Sequence, residues 1–153
     1  MKYTTEITID LPRSVFMDKF DHPDNMKHWQ RGLKSYKYLF GEPGEEGSKM
    51  ELKYQMGKRE LVLIETIIKR NMPYEFHATY DAKGVHNIQK NYFKDIENNK
   101  TLWVSESEFQ FSGIFMKLMG FFMPGAFKKQ SCQYLEDFKA FAETGKSVNV
   151  DET

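Results

Sequence analysis

The chain has 153 residues with 40% hydrophobic content, a length that suits one domain with a single core. Its 22 basic residues balance 22 acidic residues, and it has no basic block that could neutralise a run of phosphates, so nucleic acid is not an expected partner. Cys132 is the only cysteine, which excludes an internal disulfide, and the first residues lack an apolar signal core. We therefore expect a cytoplasmic protein.

The first third of the chain predicts one strand followed by two short helices. Residues 2–10 alternate with the period of a half-buried strand, which ends at Leu11-Pro12. Residues 14–20 predict a short helix, and a second one begins at His22-Pro23 and contains Met26 and Trp29.

The middle of the chain predicts an antiparallel meander. Strand composition recurs in six segments, at residues 33–40, 48–56, 60–69, 74–81, 85–96 and 102–111. Short turn-forming pieces rich in Gly, Asn and Pro separate them, and such short connections make neighbouring strands antiparallel.

The last regular segment is apolar in two different ways on either side of Pro124-Gly125. Residues 113–123 are almost all large and apolar with Lys117 as the only charge, whereas residues 126–144 carry one apolar stripe and predict an amphipathic helix. The first part is shorter than the roughly 20 residues that a membrane-spanning helix needs, so no transmembrane segment is expected. We predict one domain over residues 1–145 and a mobile polar tail over residues 146–153.

This order of elements resembles the START-like helix-grip superfamily, and within it the SRPBCC and polyketide cyclase/dehydrase-like proteins. The resemblance rests on the order itself, on Leu11-Pro12 before a helix and Trp29, on the Gly-rich turn at residues 41–47 and on the closing residues 134–139. It implies an α+β fold in which a curved seven-stranded antiparallel sheet wraps around a long C-terminal helix, with two short helices after the first strand. It also implies a deep pocket between the sheet and that helix.

Strand alternation independently predicts which residues line such a pocket. In the third strand Met50, Tyr54 and Met56 share a face, and in the last strand Trp103 shares one with two serines and two phenylalanines. In the fourth strand we expect Ile64 and its neighbours at 62, 66 and 68 to face inward, because an unpaired Glu65 is less costly outside. The predicted ligand-binding residues are Met26, Trp29, Met50, Tyr54, Met56, Ile64, Trp103, Ser105, Ser107, Phe109, Met116, Met119, Met123, Phe127 and Ser131.

The strand at 85–96 leaves two alternatives open. If Asn87, Gln89 and Asn91 point inward, the pocket has an amide-rich wall that can orient a polar ligand group. If Ile88 and Tyr92 point inward instead, the wall is nearly all apolar.

Single residues of these types usually fill a core, but the methionines fall on the elements that would enclose a pocket, and Met is a poor choice where only rigid packing is wanted. The four histidines show no metal-ligand spacing, Cys132 has no adjacent base, and the predicted inner faces offer few titratable groups. We therefore predict no catalytic residue, no metal and no cofactor.

The leading hypothesis is the binding of a hydrophobic small molecule or lipid between the sheet and the C-terminal helix, with residues 114–123 as an adjustable gate. The resemblance also allows an enzyme of the polyketide cyclase or aromatase type. A third alternative is an interaction module like the Hsp90-activator branch, in which residues 114–123 form a protein contact or a homodimer interface.

Overall fold

The computed structural model describes residues 1–149, with the backbone alone for residues 115, 119, 120, 122 and 124. Strands β1 to β7 span Lys2–Ile9, Leu33–Phe40, Lys49–Met56, Arg59–Asn71, Glu75–Ala82, Val85–Ile96 and Lys100–Phe111. Helix α1 spans Arg13–Phe20, α2 spans Met26–Trp29 directly after a 3₁₀ turn at Pro23–Asn25, α3 spans Ile114–Phe122 and α4 spans Pro124–Thr144. No helix in this part of the chain has the length and apolar character of a membrane span.

The strands form one curved antiparallel sheet in the order β1-β7-β6-β5-β4-β3-β2. Strand β1 pairs with β7 because the chain crosses from β1 through the two short helices to the far edge and then returns strand by strand. Helix α4 lies across the concave face, which we call the inner face. The α+β helix-grip architecture predicted from the order of elements is confirmed.

Proline and glycine set the two ends of α4. The helix begins at Pro124. Proline lacks a backbone N–H, but an N–H in the first turn of a helix has no intrahelical acceptor, so no hydrogen bond is lost. It ends at Gly145, which has a φ of 77° and donates its N–H to the Phe141 carbonyl at 2.8 Å. A left-handed residue at this position closes the last turn, and glycine adopts that conformation without a Cβ clash.

One half of the interior is a close-packed aromatic core beneath α1 and the C-terminal part of α4. The Phe16 ring lies 5.1 Å from that of Phe93 and 5.0 Å from that of Phe138, and the Trp103 and Phe138 rings are 5.3 Å apart. These rings cross at tilted or perpendicular angles, which is the favourable geometry for aromatic pairs. We call this the filled half.

The other half lies between β2–β5 and α2. Its buried apolar residues are Met26, Leu33, Met50, Leu52 and Tyr54, with Tyr36, Leu63 and Tyr80 packed beside them. We call this the open half because it contains the cavity described below.

Strand register fixes which side chains share the inner face. Glu65 lies opposite Met50 on one side and Tyr80 on the other, so it points inward, and Ile64 lies opposite Glu51 and Asp81 on the outer face. The prediction that Ile64 faces inward is therefore wrong.

In β6 the register turns the amide side chains to the inner face, although none of them lines the cavity described below. Asn91 lies opposite Phe76 and Ser105, and Asn87 and Gln89 share its face, whereas Ile88 and Tyr92 face outward.

Residues 146–149 contact α2, and residues 150–153 of the tail predicted to be mobile lie outside the described residues. The Asn149 side chain donates to the carbonyls of Lys27 at 2.7 Å and Gln30 at 3.0 Å and accepts from the Gly32 N–H at 3.3 Å. Ser147 adds a 3.0 Å hydrogen bond to His28 Nδ1. The tail thereby satisfies the exposed carbonyls of a helix of four residues.

The connecting segments at the two ends of the sheet carry opposite charges. At the end where α1 follows β1, the segments 10–12, 21–25, 41–48 and 97–99 contain seven acidic residues and no Lys or Arg: Asp10, Asp21, Asp24, Glu42, Glu45, Glu46 and Glu97. At the opposite end, the turns at 57–58 and 83–84 and the segment 112–123 contain Lys58, Lys83 and Lys117 and no acidic residue. We call these the acidic end and the α3 end.

Candidate functional site

A cavity of about 110 Å³ lies in the open half, between the inner face of β3–β5 and the segment from α1 to α2. Met26, Trp29 and Gln30 form its helical wall, and Met50 and Glu65 lie on the facing strands. Phe20, Tyr38, Ile67, Met72, Phe76 and Tyr80 complete most of the apolar and aromatic lining. Asp21, Pro23, Gly44 and Arg70 place one side of the cavity at the acidic end.

This position differs from the predicted one between the sheet and the C-terminal helix. None of the described lining residues belongs to α4. The space beneath the C-terminal part of α4 is occupied by the rings of Phe16, Trp103 and Phe138. The open volume instead lies under α2, which is too short to fill the sheet beneath it.

Three predicted site residues, Met26, Trp29 and Met50, line the cavity. Tyr54 lies just behind the wall, where its buried hydroxyl donates to Gln30 Oε1 at 2.5 Å.

Six further predicted residues lie on the inner face or on α4 but pack outside the cavity. Trp103 belongs to the filled half, where its Nε1 donates to Asn91 Oδ1 at 2.9 Å. The Phe109 and Phe127 rings are tilted against each other with centroids 4.9 Å apart, and the Ser131 hydroxyl lies 2.6 Å from the hydroxyl of Tyr3. Ser105 and Ser107 are buried on the same face of β7.

The remaining predicted residues are not brought to the cavity. Ile64 points to the outer face, and Met56 and Met123 are 39% and 47% exposed. Met116 packs over Gly84 in the β5–β6 turn, at the α3 end. The Met119 side chain lies outside the described residues.

Glu65 is the functional group that sequence reasoning missed. It lines the cavity, and burial raises its pKa above the ordinary value, an effect that a hydrogen bond from the Tyr80 hydroxyl partly offsets. Burial also raises the pKa of Tyr80, with the adjacent Glu65 carboxylate as the next cause, so this hydroxyl remains a donor to Glu65. In the described part of the chain no Lys, Arg or His forms an ion pair with Glu65.

Further polar groups lie in this part of the interior. Burial raises the pKa of Tyr54 and of Tyr134, so both hydroxyls stay protonated near neutral pH. Trp29 is 8% exposed, lines the cavity, and has an indole Nε1–H without a hydrogen-bond partner among the described residues. A buried donor of this kind is rare unless water or a ligand satisfies it.

The arginine at the cavity edge is already neutralised. Arg70 donates from its two terminal nitrogens to the Asp21 carboxylate at 3.1 and 2.5 Å, and its backbone N–H donates to Glu46 at 3.0 Å. A bidentate pair of this type fixes the orientation of the guanidinium and compensates its positive charge.

A larger hollow of about 360 Å³ lies elsewhere, on the outer face of β1, β7 and β6. It is lined by charged side chains of both signs, including Lys2, Lys90, Glu106 and Glu108. A hollow of this composition on a solvated sheet face is a weaker candidate than the aromatic-walled cavity, since ligand sites are mostly apolar with few polar groups.

Strand β4 gives a physical reason why Glu65 was missed. Both of its faces are apolar, with Leu61, Leu63 and Ile67 on one and Val62, Ile64 and Ile68 on the other. The charge at position 65 was therefore the deciding signal, and it was interpreted as marking the solvent side. The pairing of Glu65 with Met50 across the β3–β4 hairpin is the signal that would have located it.

Comparison with known proteins supports the fold. No protein-family model matches the chain, and no curated protein matches it. Among solved structures, Zhui aromatase/cyclase from Streptomyces sp. R1128 is similar with a TM-score of 0.77 at 11% identity, covering 94% of this chain and 93% of that one. A conserved protein from Geobacillus kaustophilus gives a TM-score of 0.76 at 15% identity, covering 95% and 97%.

Ara h 8.0201 is similar with a TM-score of 0.73 at 10% identity, covering 93% of this chain and 97% of that one. Matches over nearly the whole of each chain confirm the predicted helix-grip fold. At these identities they show the fold alone.

Proposed function

We propose that this protein binds a small, mainly apolar molecule in the cavity of the open half and holds one polar end of that molecule at Glu65. The observation that carries the proposal is a carboxylate on the wall of an aromatic- and methionine-lined cavity with no cationic partner among the described residues. Burying such a group costs free energy unless a partner compensates it. A ligand that donates a hydrogen bond supplies that partner.

The composition of the walls supports binding over rigid packing. Met26, Met50 and Met72 are flexible side chains that adapt to different shapes, and they surround the polar group from three elements. The unpartnered Trp29 Nε1–H offers a donor to an oxygen or nitrogen of the same ligand. A volume of about 110 Å³ favours a small molecule over a whole lipid, since sites for drug-sized ligands occupy about 300–1,000 Å³.

Native mass spectrometry of protein purified gently from its host tests the proposal. We expect an apolar adduct on the wild-type chain, its loss in Met50→Trp, which fills the cavity, and its retention in the control Val62→Trp, whose side chain lies on the outer face of β4. Bare wild-type protein that also shows no saturable NMR shift with small apolar probes would contradict it. The cytoplasmic location and the single domain remain predictions.

The second candidate is an enzyme of the cyclase type, and Glu65 is again the observation that favours it. A carboxylate with a raised pKa beside a hydroxyl donor is suited to accept a proton from a bound substrate. Turnover of a polyketide-like or other cyclisable substrate that disappears in Glu65→Gln, with substrate binding retained, would support it. Binding without turnover in the wild type would exclude it.

The third candidate is an interaction surface on α3, including a homodimer through residues 114–123. Ile114 is 82% exposed and Leu118, one turn later, is 49% exposed, which is unusual for neighbouring large apolar side chains. A sedimentation coefficient that stays at the value of a monomer over a wide concentration range, and that is the same for the wild type and for Ile114→Asp, would exclude the dimer.

A further inference from the structure

We propose that the ligand of the open-half cavity is an organic cation, a small molecule whose ammonium group binds Glu65 while its apolar part lies among the aromatic walls. This inference rests on the proposed function, because it assigns the chemical class of the molecule that the same cavity takes.

The first step is the charge balance inside the cavity. Three charged side chains, Glu65, Asp21 and Arg70, line it, and His22 is also among the lining residues. Arg70 and Asp21 neutralise each other through their bidentate pair, so among the Asp, Glu, Lys and Arg residues of the lining the charge left over is that of Glu65. The Tyr80 hydroxyl donates to Glu65 but carries no positive charge. An ammonium group would supply the missing charge and donate charge-assisted hydrogen bonds at the same time.

The second step is the nature of the walls. Five aromatic residues line the cavity: Phe20, Trp29, Tyr38, Phe76 and Tyr80. The Phe20 ring lies 5.9 Å from the Trp29 ring and 6.3 Å from the Phe76 ring, so the aromatic surfaces meet in one cluster. Aromatic faces attract cations, and the attraction is stronger in a desolvated site.

The third step is the approach from solvent. The segments 21–25 and 41–48, which contribute Asp21, Pro23 and Gly44 to the cavity, contain five acidic residues and no Lys or Arg. Arg70 at the same edge offsets the charge of Asp21, and the four remaining carboxylates leave an excess of negative charge in these segments, which concentrates ligands of the opposite sign. An anionic ligand such as a fatty acid would meet these carboxylates first and then Glu65, and Arg70 is not free to receive it.

A neutral ligand fits less well than a cation. An alcohol could donate one hydrogen bond to Glu65, yet the carboxylate would keep an uncompensated charge in a low-dielectric site. The Trp29 Nε1–H is available to an oxygen on the same molecule, so an amine that also carries a hydroxyl would use both this donor and the Glu65 carboxylate.

Three probes of matched length separate these cases at pH 7: n-butylammonium, butan-1-ol and n-butyrate, each titrated into the full chain and followed by NMR of the backbone amides of residues lining the cavity. We expect n-butylammonium to bind with a Kd about tenfold below that of butan-1-ol, since charge-assisted hydrogen bonds are roughly twice as strong as neutral ones. We expect n-butyrate to show no saturable binding.

Glu65→Gln is the matched variant, because it keeps the shape of the side chain and removes its charge. It should abolish the preference for n-butylammonium over butan-1-ol, while Glu51→Gln, on the outer face of β3, should leave it unchanged. The wild-type comparison of the three probes stands by itself if Glu65→Gln does not fold.

Three results would overturn the cation assignment and leave the proposed binding function standing. They are butan-1-ol binding as tightly as n-butylammonium, n-butyrate binding more tightly than either, and n-butylammonium shifting only the amides of the acidic segments. If no probe produces saturable shifts at the cavity, the cation assignment and the proposed function both fail.

Discussion

The filled half and the open half of the interior use similar residues and differ in what covers them. In the filled half, α1 and α4 bring Phe16 and Phe138 against Phe93 and Trp103, and the rings occupy the space. In the open half, a helix of four residues covers the strands, and a carboxylate lies on the inner face instead of another ring. The comparison teaches that the length of the covering helix, more than the sheet, decides where this fold leaves a cavity.

Removing a ring from the filled half should give the largest effect. Phe138→Ala deletes a fully buried side chain at the centre of the aromatic cluster, and we expect the free energy of unfolding to fall by about 3–5 kcal/mol. Chemical denaturation measures this change. The control Phe40→Ala, at a 66% exposed position, should stay within about 0.5 kcal/mol of the wild type, and a comparable loss there would contradict the assignment of the core.

Two positions on the same face of β3 sharpen the comparison within the open half. Leu52→Ala removes a fully buried side chain and should cost about 3 kcal/mol, whereas Met50→Ala enlarges an existing cavity and should cost about 2 kcal/mol or less. Urea denaturation of both variants in parallel checks the difference. A larger loss for Met50→Ala than for Leu52→Ala would show that Met50 is packed as firmly as the rest of the core.

Glu65→Gln should change how stability depends on pH. Burial raises the pKa of Glu65 in the folded state above 4.5, so between 4.5 and the raised pKa the folded chain binds more protons than the unfolded chain. The stability of the wild type therefore falls as pH rises through this range, and the loss levels off above the raised pKa. The facing tyrosines, Tyr54 and Tyr80, have raised pKa values and stay neutral in this range, and Arg70 remains paired with Asp21.

We therefore expect Glu65→Gln to match the wild type near pH 4 and to exceed it by about 1 kcal/mol at pH 8, the order of cost of an incompletely compensated buried group. Denaturation curves at several pH values measure the difference between the two chains. Parallel curves across the whole range would show that Glu65 is solvated rather than buried.

The smallest effect is expected from the tail. Asn149→Ala removes the bonds to the carbonyls of Lys27 and Gln30 and should speed amide hydrogen exchange in α2, with a loss of about 1 kcal/mol in the free energy of local opening of that helix. The amide of Phe93, in the filled half, serves as an internal reference and should exchange at an unchanged rate. Equal acceleration at both places would mean that the tail stabilises the whole domain instead of the open half.

The order of strands and helices could be predicted from the sequence because alternation, turn residues and the Pro124-Gly125 break are local signals. The residues of the candidate site were harder to predict. The orientation of Glu65 depends on the pairing of β4 with β3 and β5. Its charge predicts the solvent face, because an unpaired carboxylate is usually costly to bury, and this general rule fails at individual sites. The binding of Asn149 to α2 joins residues 122 positions apart, for which no local pattern exists.

The position of the cavity could not be predicted for a related reason. The sequence indicates that α4 is long and apolar on one side, and this led us to place the ligand beneath it. Whether the rings of Phe16 and Trp103 fill that space depends on how α1 lies over the sheet, which alternation does not report.

The connecting segments of the acidic end and of the α3 end carry opposite charges, although the formal net charge of the chain is zero. At low ionic strength two molecules should attract each other side by side in opposite orientations, and the chain should adhere to both anion and cation exchangers although its formal net charge is zero. Added salt, with a screening length of about 10 Å at 0.1 M, should weaken both effects and raise the solubility of the protein near neutral pH.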